Sequence, residues 1–402
     1  MSIFTFTFQQ TKNLRYLYAV RIVRDLANQL VVFFLPLYFF NLRFPFMQRF
    51  ELTALQEGIF NVALVYALTY LACFFLAIPT SKILTKHGIR YGFLLGHLLY
   101  ALYVLCLLWS QNNPYLVLTS AIINGLQINF FWNSYHYSLS RYSSENKIGS
   151  NLGIINFLLN LLAMVAPALG GIIIMALGYQ TLFLLGLFIV LFGAMFSLML
   201  DNVRVRDEIS FKEFFSWMSE PTFRRLAASF TGRYFNDASI NLWTLYMFIL
   251  LGSYDGVGYF YSLSLFMALV ISYFAGSFID RNKGQQQFFM SGGLLSIFWL
   301  LRSFAVNIWT ITFINAFDKL TSSFHWLFFD RSWIMRGKGR EALSYFVYRE
   351  MIYSLAALVF WGFVALIFYF FIAAWKSLFV AAAIGVLLTL LIKEHKADHE
   401  EV

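Results

Sequence analysis

Long apolar runs separated by short polar breaks follow one another from residue 14 to residue 392. A helix needs ~20 mostly apolar residues to cross the hydrocarbon layer. The runs predict twelve transmembrane helices, at 14–41, 54–80, 91–110, 114–140, 150–177, 179–200, 222–251, 256–279, 287–304, 308–330, 343–371 and 373–392. A helix satisfies its own backbone in lipid, whereas a barrel would show ~10-residue alternating segments. The expected fold class is therefore an all-α polytopic membrane protein. The longest polar break, DNVRVRDEISFKEFFSWMSEP, divides the chain into a six-helix bundle over 1–200, a linker over 201–221 and a second six-helix bundle with a short tail over 222–402. Within the linker, SFKEFFSWM reads as a short amphipathic helix at the membrane interface.

The halves repeat one another. At an offset of 194, NFFWNSYHYSLSRY from Asn129 overlies SFHWLFFDRSWIMR from Ser323: Phe130 meets Phe324, Trp132 meets Trp326, Tyr135 meets Phe329 and Ser138 meets Ser332. Near it, at 195, SKILTKHG meets GSFIDRNK, with Ser81 over Gly276 and Lys86 over Arg281. At 212, the first span of each half matches: Arg21 falls on Arg233, Asp25 on Asp237 and Gln29 on Asn241. The larger offset reflects the loop 42–53, which has no long counterpart after Leu251.

Two parallel six-helix halves joined by a linker are a layout of transporters built from repeats. GSFIDRNKG (276–284) resembles the G-x-x-x-D-R motif that the major facilitator superfamily carries between helices two and three and again between eight and nine. In the first half, SKILTKHGIR has Ser81 and Thr85 at the glycine and aspartate positions and keeps Lys86, Gly88 and Arg90. PALGG (167–171) is similar to the P-x-x-G-G part of the family's antiporter motif. The arginine that proton-coupled drug exporters carry midway along helix four has no counterpart in AIINGLQINFFWN. The resemblance covers nearly the whole chain and assigns no subfamily. It implies alternating access about a cavity lined by spans one, four, seven and ten. It also implies a gating role for Lys86, Gly88, Arg90, Gly276, Asp280 and Arg281, with Asp280 capping the start of span five.

Composition agrees with the span pattern. The 402 residues are 60% hydrophobic and 12% charged, against ~25% charged in soluble domains. Lys and Arg gather on the side of the N-terminus and leave Arg43, Arg49 and Lys376 to the other side. This asymmetry places both termini in the cytoplasm of a cell with the protein in its cytoplasmic membrane. The net charge of +9 then concerns topology and anionic lipid, with no nucleic-acid partner expected. Cys73 and Cys106 lie in apolar runs outside any metal-ligand spacing. MSIFTFTFQQTKN lacks a cleavable leader pattern.

Charges inside spans are expensive and call for a reason. The first span carries Arg21, Arg24, Asp25, Asn28 and Gln29 on one helical face, and the seventh carries Arg233, Asn236, Asp237, Asn241 and Thr244 on one face. The fourth offers Asn124, Gln127, Ser134 and Ser138, with Asn133 and His136 at its flank; the tenth offers Asn315, Asp318, Ser322 and His325, with Lys319 adjacent to Asp318 and pointing elsewhere. Spans three, six, nine and twelve are plainer, apart from His97 and Arg302. Polar stripes on four repeat-related helices point to a water-accessible path.

The candidate substrate or coupling residues are Arg21, Arg24, Asp25, Gln29, Asn124, Gln127, Arg233, Asp237, Asn241, Asn315 and Asp318. Arg–Asp pairs one turn apart can be structural. Alternatively, an aspartate that loses its cation as the cavity opens takes up a proton, and releases it when the cation returns. Arg24, with no acid of its own, is the candidate for an anionic substrate group. Arg349 and Glu350 read as a structural pair near the cytoplasmic end, His97 as a packed histidine, and His136 with Asp330 as parts of the inner gate.

The expected function is secondary active transport of a small organic solute, coupled to protons, by a monomer with no cofactor or metal. No H-E-x-x-H, G-x-S-x-G or His/Cys cluster supports an enzyme. A receptor or scaffold on the same fold and a uniporter are the competing classes.

Overall fold

The computed structural model describes residues 11–144, 148–279, 284–339, 341–372 and 374–392. These residues form helices and connections, with no strand among them. The fold is the expected twelve-span, two-bundle architecture. The first span is α1 (Lys12–Leu30), a single 3-10 turn (Val32–Phe34) and α2 (Leu35–Phe40). The sequence predicts one continuous helix here. Pro36 explains the break, since it lacks an N–H and crowds the preceding turn, and it sits instead in the first turn of α2.

The first half continues with α3 (Ala54–His87), α4 (Ile89–Trp109), α5 (Leu116–Tyr142) and α6 (Ile148–Leu198). The last comprises spans five and six, which reverse direction at Gly178 with φ +77°. The linker holds α7 (Phe211–Ser219), and the second half comprises α8 (Pro221–Leu251), α9 (Tyr254–Ile279), α10 (Gly284–Leu301), α11 (Ile308–Arg336), α12 (Ala342–Phe370) and α13 (Trp375–Thr389). The last two spans separate between Phe370 and Trp375, at the boundary the sequence predicts. Five segments are long and apolar enough to cross a membrane on length and composition alone. The polar stripes on α5, α8 and α11 keep those three below that standard.

The linker contacts both halves. Asn202 donates to the carbonyl of His87 at 2.9 Å and accepts from the Arg90 amide at 3.3 Å. Gly88 between them has φ +99°, and a β-carbon there would overlap Asn202. Asp207 reaches the other half: its carboxylate accepts from the amides of Leu343 and Ser344, at 2.8 and 3.1 Å, in the first turn of α12. It thus caps that helix from outside, where a negative charge is favoured. Helix α7 starts on Ser210, which accepts from the Glu213 amide. Its Phe214 lies between Phe74 of α3 and Tyr348 of α12. Asp207→Ala is expected to cost about 1 kcal/mol as a lost cap, seen as faster hydrogen exchange at the Leu343 and Ser344 amides.

Candidate functional site

The repeat seen in sequence is physically present at the centre of the molecule. On α1, Arg21 pairs with Asp25 at 3.5 Å, and its guanidinium lies over the Trp132 ring of α5, 4.4 Å from the centroid. On α8, Arg233 pairs with Asp237 at 3.0 Å and lies over Trp326 of α11 at 3.9 Å. The Arg–Asp pairs are spaced by 212 and the tryptophans by 194, so each half builds the same three-residue unit from two helices. The indole face stabilises the guanidinium where water is scarce, and a carboxylate one turn away offsets its charge.

These two units face each other across a cavity with two adjoining lobes. One lobe, about 300 Å³, is lined by Tyr70, Trp132, His136, Trp333, Arg349, Glu350 and Tyr353. The other, about 330 Å³, is lined by Asp25, Gln29, Asn160, Tyr261, Asp318, Lys319 and Trp326. Arg21, Asn156, Arg233, Asp237 and Asp330 border both. Asp237 is the most connected of them: it accepts from Arg233, from Asn236 at 3.2 Å, and from the hydroxyl of Tyr353 on α12 through a short hydrogen bond.

The halves touch at both ends of the cavity. At the end of the loop 42–53, Asn41 donates to Tyr254 at 3.1 Å and Gln56 to the Phe368 carbonyl at 2.9 Å. The PALGG segment of α6 lies against the start of α9 there, and a β-carbon on Gly171 would come within 2.7 Å of the Tyr254 carbonyl oxygen. At the linker end, Ser140 donates to the Gly337 carbonyl at 3.1 Å and Lys338 to that of Ser143 at 2.5 Å. His136 packs edge-on against Trp333, with ring centroids 4.7 Å apart.

The structure gathers Arg21, Asp25, Gln29, Arg233, Asp237 and Asp318 at the cavity. It places the other candidates elsewhere. Arg24 is 1% exposed and points into the first half, over Phe131 at 3.7 Å and Tyr100 at 4.6 Å. It donates a short hydrogen bond to Gln127, which in turn donates to Asn124 at 2.6 Å. These three form a network inside one bundle, away from the wall, because residues three apart on α1 diverge enough to face different neighbours. Asn315 accepts from the indole of Trp243 at 2.8 Å. Asn241 is half-buried and borders neither lobe. Asp318 meets Arg302, from the turn after α10, at 3.3 Å. Lys86 is exposed, Gly88 and Arg90 lie under Asn202, and Gly276 falls within α9. Asp280 and Arg281 lie outside the described residues.

Sequence reasoning missed part of the wall. Arg349 and Glu350 border the first lobe, joined by a short ion pair, with Arg349 over Tyr353 at 4.4 Å and Trp333 at 4.7 Å. Asp330 lies inside α11 because that helix runs on to Arg336, so the residue borders the cavity and not only its gate. Asn156 and Asn160, one turn apart in apolar α6, carried a signal of the kind used for the other spans. His97 is packed as expected, bonded to the Phe93 carbonyl at 2.8 Å. Arg24→Lys, which loses the planar fork and the ring stacking, is expected to lower stability by about 2 kcal/mol, read by thermal unfolding, with solute affinity unchanged.

The sequence profile of the Major Facilitator Superfamily matches residues 17–261. The chain belongs to this family of membrane transporters. Comparison with curated proteins by sequence finds no match. Solved structures share the fold. The human organic anion transporter MFSD10 superposes with a TM-score of 0.70 at 13% identity, covering 95% of this chain and 99% of that one. A POT family transporter, in complex with a thioalcohol-conjugated peptide, gives 0.68 at 15%, covering 96% of each. The E. coli fucose:proton symporter FucP gives 0.62 at 14%, covering 94% and 97%.

Proposed function

We propose that this protein carries a small organic solute across the cytoplasmic membrane by alternating access, driven by the proton gradient. The observation that carries the reading is the central cavity itself. Both halves contribute its wall, a duplicated Arg–Asp–Trp unit faces it from each side, and contacts between halves lie at both ends. Such an arrangement suits a site exposed to one face at a time. In this reading 1–200 and 222–402 rock as bodies, 201–221 tethers them, and both termini are cytoplasmic.

Arg21 and Arg233 contact the solute. Asp237 carries the proton, with Asp25 as its counterpart, since each borders the cavity and its access to water from either side changes when the halves part. Asp318, held by Arg302 within its own half, keeps α10 and α11 together. Arg24, Gln127 and Asn124 brace the first bundle. The motif residues at 86–90 and 276–281 control the linker end.

The test is solute movement in proteoliposomes with and without an imposed pH gradient. Accumulation that requires the gradient is the expected result. Equilibration that ignores the gradient would leave a uniporter, and no movement of any solute would overturn transport.

A further inference from the structure

The charges around the cavity do not all form direct ion pairs. The four Arg–acid pairs described above, the Arg302–Asp318 pair among them, compensate one another within their own halves. Lys319 and Asp330 remain. Among the described residues neither lies within ion-pair distance of an opposite charge. Lys319 has its ammonium over the Tyr261 ring, 4.8 Å from the centroid, and Asp330 accepts from the Trp333 indole at 3.0 Å. Both border the second lobe.

Their placement is specific. Eleven residues apart on one helix, they lie ~16 Å apart along its axis and within about 20° of the same face. Lys319 is nearer the loop end and Asp330 nearer the linker end. The cavity therefore presents one cation and one anion outside any direct ion pair, separated along its length, with Lys319 facing Asp318 and Tyr261 and Asp330 facing Arg233 and Arg349 at longer range, and with no net charge left over. A net-charged solute would leave its own charge uncompensated where water is scarce, and an uncharged one would leave both protein charges so.

We infer that the solute is a net-neutral zwitterion with well-separated charges. Its anionic group meets Lys319 and its cationic group meets Asp330, as in a short peptide or an ω-amino acid. A three-residue peptide spans ~10 Å, which side chains reaching in from both ends of the cavity can bridge. This rests on the central cavity being the transport site.

The test uses the purified full-length protein and a probe panel: trialanine, its N-acetyl form, its C-terminal amide, aminohexanoate and glucose. Binding is read by thermal shift and flux in proteoliposomes. Trialanine or aminohexanoate is expected to bind, and trialanine at least tenfold tighter than either blocked form. Lys319→Gln should erase the advantage over the amide, Asp330→Asn that over the N-acetyl form, and Lys319→Arg should keep both. Absence of binding by both zwitterions overturns the inference. So does equal binding of trialanine and its blocked forms, or preference for glucose. Zwitterion binding with the expected variant pattern but without flux upholds the inference and removes the transport reading. Flux of glucose alone does the reverse.

Discussion

Asp237→Asn is expected to abolish accumulation driven by a pH gradient, at least tenfold, while solute exchange across the membrane without a gradient continues. The reasoning starts from what the carboxylate holds. Asp237 gathers Arg233 from its own helix, Asn236 beside it and Tyr353 from α12, and it borders both lobes. Its side chain is 35% exposed to the cavity, so an amide there can still accept from Arg233 and Tyr353 through its one oxygen, loses only the Asn236 bond, and causes limited damage to folding. The amide cannot carry a proton. Arg233 would keep its place over Trp326 through the ring contact. The contrast with Asp318 makes the result informative. Arg302 and Asp318 are 2% and 8% exposed, and breaking a buried pair leaves the remaining charge uncompensated, at a cost of about 3–5 kcal/mol. Asp318→Asn should therefore reduce folded protein, read by size-exclusion yield, whereas Asp237→Asn should yield folded protein that no longer couples. Gradient-driven accumulation by Asp237→Asn at the parental level would remove Asp237 from the proton path.

The span count and the repeat were legible because lipid imposes one rule on every crossing: a long apolar run. The Arg–Asp pairs were legible for the same reason inverted, since charge in such a run stands out. Which charges face the cavity was not legible. Arg24 and Asp25 are neighbours in sequence, yet one braces α4 and α5 and the other borders the lobe. Helical spacing gives a face about a turn wide and does not fix the rotation of α1 against its neighbours. Arg349 and Glu350 form the expected pair, but their place on the cavity wall was not legible for a second reason. Distance from a span's end says how deep a residue lies, not whether its helix turns that residue toward lipid or toward the centre. Asp330 depended on a helix end, and α11 extends past the expected boundary because its last turn carries polar residues that a hydropathy reading takes for a loop. Lys319 was visible as a charge, but its lack of an ion partner exists only once Arg302 is known to take Asp318.

Gly258→Leu is expected to hold the molecule open at the loop end and to cut flux at least tenfold. Gly258 on α9 belongs to the second half, and its face meets the Pro167–Ala168 backbone of α6 in the first. A β-carbon at Gly258 would collide with the Pro167 carbonyl oxygen. The obstacle is backbone, which cannot swing aside as a flexible side chain can. The reciprocal contact, Gly171 against Tyr254, would also fall below 3.0 Å, so the two glycines let α6 and α9 seal this end together. Overpacking costs about 1–3 kcal/mol, and each 1.4 kcal/mol is a factor of about ten in an equilibrium. Because the clash exists only where the halves meet, parting them removes it. The strain therefore acts on the balance between conformations more than on folding. Spin labels on Asn112→Cys and Phe371→Cys, one in each half, should report a longer distance in the Gly258→Leu background. Gly362→Leu is the control: nothing lies within 4 Å of a β-carbon there, and both distance and flux should stay at parental values. An unchanged distance together with full flux in Gly258→Leu would show that the α6–α9 contact does not gate this end.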